Sequence, residues 1–268
     1  MGVIGVVGDV FVDRYWIGQE RGLSAEAPIP IVDVWEKQEF PGGAANVVAN
    51  LQALGRNSRL INTKQPPVEA DWRVPIKNRL MAGDVQVARW DERDWLPALQ
   101  REDLLDLLDV EAVIVSDYGK GTITDEIVEI LAGVRFPIFV DTKKDPVKWI
   151  GSEAILFPNM KEYSQFKDHY DWLGNVVLKC GGEGMRYLQY GKLVAQWPSF
   201  AENVKCVNGA GDTVIAAFAD IYCQTKENVD RPIFNTLKWS NAAAASVVAK
   251  PFTSTTTIEE IHDILARV

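Results

Sequence analysis

Short apolar runs that end in polar or glycine-rich sequence recur along this chain, and stretches with helical periodicity lie between them. Residues 3–7, 111–116 (EAVIVS), 136–141 (FPIFVD), 154–157 (AILF) and 175–179 (NVVLK) read as buried strands. Residues 125–132 and 160–169 read as helices between them. This alternation predicts an α/β fold, a doubly wound and mostly parallel sheet flanked by helices. The runs end in SDYGKG, DTKKD, PNMKE and KCGGEG, so polar groups collect at the carboxyl ends of strands. Open α/β sheets bind their ligands there.

Two regions break the rhythm. Residues 11–17 and 29–35 read as strands outside any βα unit, and residues 84–90 (DVQVARW) alternate with period two. A small antiparallel lid drawn from about 10–36 and 74–91 accounts for them. Gln65, Pro66 and Pro67 mark a turn or connector. The last third is helical, over residues 210–224, 230–249 and 258–267. With no internal repeat and no low-complexity tract, the expectation is one domain over 1–268 with a β lid.

Composition narrows the function. The 268 residues are 47% hydrophobic and 24% charged, enough to bury a sizeable core, which argues against a disordered or fibrous chain. No run approaches the ~20 apolar residues of a membrane span. The apolar start lacks a leading cluster of positive charge and is interrupted by Asp9 and Asp13. It reads as a strand and not as a signal peptide, so a cytoplasmic protein is expected. A net charge of −9 argues against general nucleic-acid binding and requires a local cationic site for any anionic substrate. Cys180, Cys206 and Cys223 form no CxxC pair and read as small buried hydrophobes or free thiols. The two histidines, His169 and His262, lie in polar segments and support neither a zinc site nor a Ser-His-Asp triad.

Three segments carry candidate chemistry. In Asn208-Gly-Ala-Gly-Asp212-Thr213 small residues leave the backbone uncrowded where a helix starts, so free N–H groups and the helix dipole form an anion hole. A carboxylate there, Asp212, makes sense as the base that takes a proton from a hydroxyl attacking phosphorus. An ordinary N-terminal cap also accounts for it. Neither a Walker A loop nor a dinucleotide fingerprint is present. In Pro41-Gly-Gly-Ala-Ala-Asn46 the glycines let a polyhydroxylated ligand approach and Asn46 offers a donor and an acceptor; a plain turn with a solvated Asn46 is the alternative. In Pro158-Asn-Met-Lys-Glu162, Asn159 and Glu162 share one helix face and can order water around Mg²⁺, or close a capping box.

Together and in this order, these segments resemble the ribokinase-like (PfkB) sugar kinases. The resemblance is nearest to the kinase domain acting on the anomeric oxygen of D-glycero-D-manno-heptose 7-phosphate. GDVFVDRYW, LSAEAPIPIVDV, PGGAANVVANLQALG, VARWDE, VSDYGKG, DTKKD, PNMKE, VNGAGDTVIAAF and SNAAAASVVAK carry it across residues 8 to about 255. The resemblance implies Asp212 as catalytic base and Gly209, Ala210 and Gly211 as the anion hole. It implies Asp13, Gly42, Gly43 and Asn46 for sugar hydroxyls, with Asp117 and Lys120 at the adjoining strand end. Asn159, Met160, Lys161 and Glu162 would organise ATP phosphates, with Mg²⁺ held by Asn159 and Glu162 through water. Lys179, Gly181 and Gly184 would line the nucleotide site, and Asn241 the adenine pocket. Arg14, Arg89 and Lys120 are the candidates for the substrate's phosphate. The implied ligands are ATP and a phosphosugar, with no nucleic acid and no membrane. A homodimer and a separate nucleotidyltransferase in the same pathway are compatible with it.

The chain departs from that pattern in three places. Cys206-Val207-Asn208 stands where the family reads Asp-x-Thr, which leaves monovalent-cation activation open. Ala249-Lys-Pro-Phe-Thr253 replaces GKLGT, with Phe252 at a glycine position. The passage 55–79 is shorter than in heptose kinases. A non-catalytic nucleotide- or phosphosugar-binding protein and a kinase for another sugar therefore remain as alternatives.

Overall fold

The sheet that organises the molecule is a consequence of strands apolar on both faces. The computed structural model describes residues 2–62, 74–225 and 232–268. Its strands are β1 (Ile4–Gly8), β2 (Val10–Leu23), β3 (Pro30–Gly43), β4 (Ser58–Ile61), β5 (Ile76–Ala82), β6 (Val85–Glu92), β7 (Ala112–Asp117), β8 (Ile138–Thr142), β9 (Ile155–Leu156), β10 (Asn175–Lys179), β11 (Met185–Gln189) and β12 (Lys192–Trp197). Its helices are α1 (Ala44–Ala53), α2 (Asp125–Ala132), α3 (Met160–Gln165), α4 (Lys167–Tyr170), α5 (Ala210–Thr225), α6 (Pro232–Val248) and α7 (Ile258–Leu265).

Eight strands form the main sheet in the order β12-β11-β10-β9-β8-β7-β1-β4. From β4 to β10 every pair is parallel, and β10–β11–β12 is an antiparallel edge. Side chains alternate across it. Val7, Val113, Val115 and Val140 enter one core with Ile127 and Leu131 of α2, while Ile4, Val6, Ile114 and Phe139 enter the other with Val47 of α1 and Phe218 of α5. Helix α5 is buried from Asp212 to Asp220 and packs between the sheet, α1 and α6. No helix among the described residues is long and apolar enough to cross a membrane.

The lid is a second sheet, β3-β2-β5-β6. It is not purely antiparallel as expected, because β2 and β5 run parallel. Along β2 the buried positions alternate, so Phe11, Asp13 and Tyr15 face the body of the molecule while Arg14 and Trp16 face outward. The lid joins α1 at Gly43, whose φ of 60° and contact with the Asp9 carbonyl (2.3 Å from an added Cβ) leave no room for a side chain.

Each strand read from the sequence is present; those of the main sheet and β6 shift by at most two residues at their ends, whereas β2 and β3 run on to Leu23 and Gly43, well past residues 17 and 35. The helix expected over 160–169 is two pieces, broken at Phe166. Strand β4, the β11–β12 hairpin and the short 3-10 segments were not anticipated. The hairpin turns at Tyr190 and Gly191, both at positive φ (48° and 71°), the geometry of a two-residue turn. The turn placed at Gln65–Pro67 and the helix start placed at Asp230 lie outside the described residues, as does much of the shortened passage 55–79. Cys180 and Cys206 are free thiols. His169 pairs with Asp145 and His262 packs edge-on against Trp239.

Candidate active site

Helix α5 begins where the carboxyl ends of β7, β8 and β10 meet the inner face of the lid, so side chains from five elements converge on its first turn. Asp212 lies at the centre, 3% exposed. Asn46 Nδ2 on α1 donates to its Oδ2 at 2.8 Å, and the Tyr118 hydroxyl, just past β7, donates to its Oδ1 at 2.8 Å. Burial pushes the Asp212 carboxyl up to about 6; the Asn46 and Tyr118 donors pull it down, Asp141 pushes it up and Lys179 pulls it down. A carboxylate poised in this range suits a general base near neutral pH.

Gly209 precedes the helix with φ 79°. A Cβ there would stand 2.7 Å from Asn46 Nδ2 and 2.9 Å from Thr253 Cγ2, so the loop passes α1 only because the residue is glycine. At Gly211 an added Cβ would lie 3.3 Å from the Lys179 ammonium, which brings the start of α5 and a cation to the same place. Lys179 donates to Asp141 Oδ2 at 2.5 Å. Lys143 lies 2.5 Å from Glu162 Oε1 and 3.5 Å from Asp141 Oδ1. Burial opposes the charge on Lys143, but Asp141 and Glu162 outweigh it and hold the ammonium well above its usual value.

Two cavities meet at this point. One, about 440 Å³, is polar and lies under the lid, lined by Asp13, Lys77, Arg79, Tyr118, Lys143 and Asp212 among others. The other, about 310 Å³, is apolar, lined by Met185, Val204, Val214, Ala244 and Val248 with Asn241 at its wall. Lys179, Gly181, Val207 and Gly211 belong to both. The apolar cavity suits a flat, apolar group and the polar one a hydroxylated or charged ligand, with Lys179 and the start of α5 at their junction.

The lid contributes the charge. Arg79 pairs with Asp13 at 2.5 Å, its guanidinium centred 5.2 Å from the Tyr15 ring. Lys77 places its ammonium 3.4 Å from the centre of the Phe11 ring and 4.6 Å from that of Tyr118. Burial lowers Lys77 to about 8; Asp13 opposes this, while Lys120, Arg89 and Arg79 add to it. The Tyr15 hydroxyl bonds Thr253 Oγ1 (3.1 Å) and accepts from Asn208 Nδ2 (3.0 Å), tying the lid to the loops on either side of α5 and α6. Phe252 adopts φ 58°, and its ring packs on Tyr15 (4.8 Å) and Phe40 (5.9 Å).

Of the residues singled out from the sequence, Asp13, Asn159, Lys179, Gly181, Gly209, Gly211 and Asp212 line the polar cavity. Ala210, Gly184 and Asn241 line the apolar one. Asn46 is directed at Asp212 rather than into open space. Gly42 and Gly43 lie behind Phe11 and Asp13, where they permit close packing. Three expectations are corrected by placement. Arg14 is on the outer lid face, bonded to Glu39, because neighbours on a strand point to opposite sides. Asp117 braces β7, accepting from Thr142 Oγ1 and pairing with Lys144. Met160 and Lys161 are exposed on α3, away from both cavities. Arg89 and Lys120 lie near Lys77, each beside a carboxylate, Asp91 and Asp94, as Arg79 is beside Asp13.

Tyr118, Lys77, Arg79, Asp141 and Lys143 were missed. Asp141 and Lys143 fall in the strand-end segment DTKKD, and the two-residue spacing of Lys77 and Arg79 puts both on one face of a strand. Asn159 and Glu162 do close a capping box, with Glu162 N donating to Asn159 Oδ1 (3.0 Å) and Asn159 N to Glu162 Oε2 (2.8 Å). No cluster of three or more His, Cys, Asp or Glu occurs among the described residues. Isolated carboxylates at the junction, Asp141 and Glu162, fit a Mg²⁺ that keeps its waters and is held mainly by phosphate oxygens.

Residues 149–260 match the pfkB family of carbohydrate kinases. The chain carries a pfkB-family domain. Bifunctional protein HldE of Photobacterium profundum is 30% identical over 97% of this chain, and that of Proteus mirabilis 31% identical over 97%. The chain spans 63% of the length of each of these relatives. Among solved structures, ribokinase of Thermotoga maritima superposes with a TM-score of 0.76 at 17% identity, covering 99% of this chain and 100% of that one. Phosphofructokinase-2 of Escherichia coli gives 0.72 at 15%, covering 100% and 99%. The ribokinase fold and the pfkB family expected from the motifs are thus both borne out. PfkB kinases are phosphotransferases with a hydroxyl acceptor. Asp212 and the small residues before it lie inside the matched span of the pfkB domain, whereas the lid lies outside it.

Proposed function

We propose that the chain is an ATP-dependent sugar kinase that transfers the γ-phosphoryl group to a hydroxyl of a phosphosugar, with the anomeric oxygen of D-glycero-D-manno-heptose 7-phosphate as the first acceptor to test. The observation that carries this reading is the place of Asp212, a buried base at the start of α5, between an apolar cavity and a cationic one. Arg79 and Lys77 recommend an anionic acceptor, since the protein is otherwise strongly acidic. The HldE relatives favour the heptose phosphate among such acceptors.

In this reading residues 1–268 act as one kinase domain with its lid. The base of ATP occupies the apolar cavity beside Asn241, and its phosphates reach Lys179 and the N–H groups of Gly209–Gly211. Asp13 orients a sugar hydroxyl beneath the lid. Asp212 takes the proton of the attacking hydroxyl, whose oxygen forms the new bond to phosphorus as the bond to the β-phosphate bridging oxygen breaks. Lys179 and the start of α5 stabilise charge on the transferring group. Mg²⁺, near Asn159, Glu162 and Asp141, would neutralise charge on the phosphates. The packed Phe11, Tyr15 and Phe40 of the lid exclude water. Only phosphoryl transfer is assigned to these residues.

The test is ³¹P NMR of the protein with Mg-ATP and the heptose 7-phosphate, beside an Asp212→Asn control and a sample without sugar. A new anomeric phosphate with matching ADP, absent in the variant, establishes the reading. Transfer to a different sugar in a wider panel replaces the acceptor. No transfer to any sugar leaves a binding protein.

A further inference from the structure

Tyr118, in the strand-end segment SDYGKG, sits at the base, a place the sequence pattern did not assign to it. Its hydroxyl is 2.8 Å from Asp212 Oδ1 and its ring meets Phe11 edge-on at 4.9 Å. The loop that carries it is fastened by one buried side chain. The carboxylate of Asp9, 0% exposed, accepts the backbone N–H groups of Tyr118 (2.8 Å), Lys120 (3.0 Å) and Thr122 (3.2 Å). The backbone of Asp9 in turn receives Ala44 N–H at the start of α1 and donates to Ser116 on β7. One residue therefore sets the relative positions of α1, which bears Asn46, and of the loop, which bears Tyr118.

We propose that Tyr118 is a positioning residue for the kinase base: its O–H turns the Asp212 carboxylate toward the acceptor and keeps it in the proton-accepting form, and Asp9 holds Tyr118 to that task. This rests on the kinase reading above. A carboxylate has about four lone-pair sites. Tyr118 and Asn46 occupy one on each oxygen, which leaves one on each for the acceptor hydroxyl. The phenol can only donate here, because burial first, and then Asp212 and Asp141, push its own pKa well above 10. The other groups facing Asp212 are Asn46 from α1, Asp141 from β8, Lys143 just beyond it and Lys179 from β10. None of them supplies a second neutral donor to Oδ1.

Tyr118→Phe removes one oxygen and keeps the packed ring. The Asp212 carboxyl is titrated by ¹³C NMR in aspartate-labelled protein, with Asp212→Asn to assign the signal, and kcat/KM is followed against pH in parallel. The expected result is an upward shift of about one pH unit in both the carboxyl titration and the acid limb, together with a lower plateau rate because the carboxylate loses its orientation. Asp9→Asn should move the same titration in the same direction by less. An Asp212 signal that titrates identically in Tyr118→Phe and wild type overturns the proposal, as does a uniform fall in rate with an unmoved limb. Failure of the wild-type protein to phosphorylate any sugar would overturn the kinase reading instead, and the carboxyl titration separates the two.

Discussion

Asn46 and Asp212 stand 166 positions apart in the chain and share a buried hydrogen bond of 2.8 Å, from the amide of one to the carboxylate of the other. The bond links the start of α1, directly after the lid, to the start of α5. It connects lid geometry to the basicity of the group that would do the chemistry.

Asn46→Leu keeps approximate volume and deletes the donor. The buried carboxylate then loses a partner that favours its charged form, so its pKa rises further. The expected result is a loss of ~10-fold or more in kcat at neutral pH and an acid limb moved upward. Initial-rate measurements across pH check both.

Asp212 also leaves a mark on stability. Its carboxyl titrates at about 6 in the folded protein and at about 3.9 when unfolded. Between those values the native state binds more protons, so stability falls as pH rises through the window, by up to about 3 kcal/mol. Below about 4 both states are protonated and the difference vanishes. Asp212→Asn should therefore melt higher than wild type at neutral pH and converge with it near the lower limit. Thermal melts in a pH series decide this; a variant that melts lower at neutral pH contradicts it.

The proposed base and the small residues before it were legible in the sequence because two glycines and an aspartate opening an apolar helix form a local pattern that needs no help from the fold. The sheet was legible because parallel strands buried on both faces are short apolar runs. The cationic side of the cleft was not. Arg14 drew attention by standing next to Asp13, yet adjacency on a strand means opposite faces, and Arg14 points outward. Lys77 and Arg79 needed the knowledge that 76–82 is a strand pairing in parallel with β2, a long-range fact. Tyr118 became visible only when β7 and α5 were brought together. The β11–β12 hairpin escaped because half its side chains are exposed, which mutes the apolar signal, although Tyr190-Gly191 marked its turn.

Gly209→Ala tests how tightly the start of α5 is built. The new methyl would meet Asn46 Nδ2 at 2.7 Å and Thr253 Cγ2 at 2.9 Å, at a φ of 79° that alanine resists. Destabilisation of about 1–3 kcal/mol is expected, with activity reduced ~10²-fold as Asn46 is displaced from the base. Gly182→Ala is the control, since nothing lies within 4 Å of its added Cβ. Denaturant titration and turnover of both variants give the answer, and equal behaviour of the two would refute the packing argument.

Lys77 is the cation whose charge is least secure. Burial and the neighbouring Lys120, Arg89 and Arg79 outweigh Asp13 and bring it down to about 8, so it is charged at neutral pH and increasingly neutral above that value. An anionic acceptor approaching from solvent then meets one positive charge fewer. The sign is definite: kcat/KM for the acceptor should decline as pH rises through about 8, and with the Asp212 limb near 6 the profile becomes bell-shaped. A bound dianion would hold the proton on Lys77, so kcat should stay flat over the same alkaline range. Lys77→Arg keeps a charge at all accessible pH and should abolish the alkaline decline. Lys77→Met should raise the acceptor KM by ~10-fold or more while leaving the KM for ATP unchanged, because the apolar cavity is on the far side of Asp212. An alkaline limb that survives in Lys77→Arg would assign it to another group and remove Lys77 from acceptor recognition.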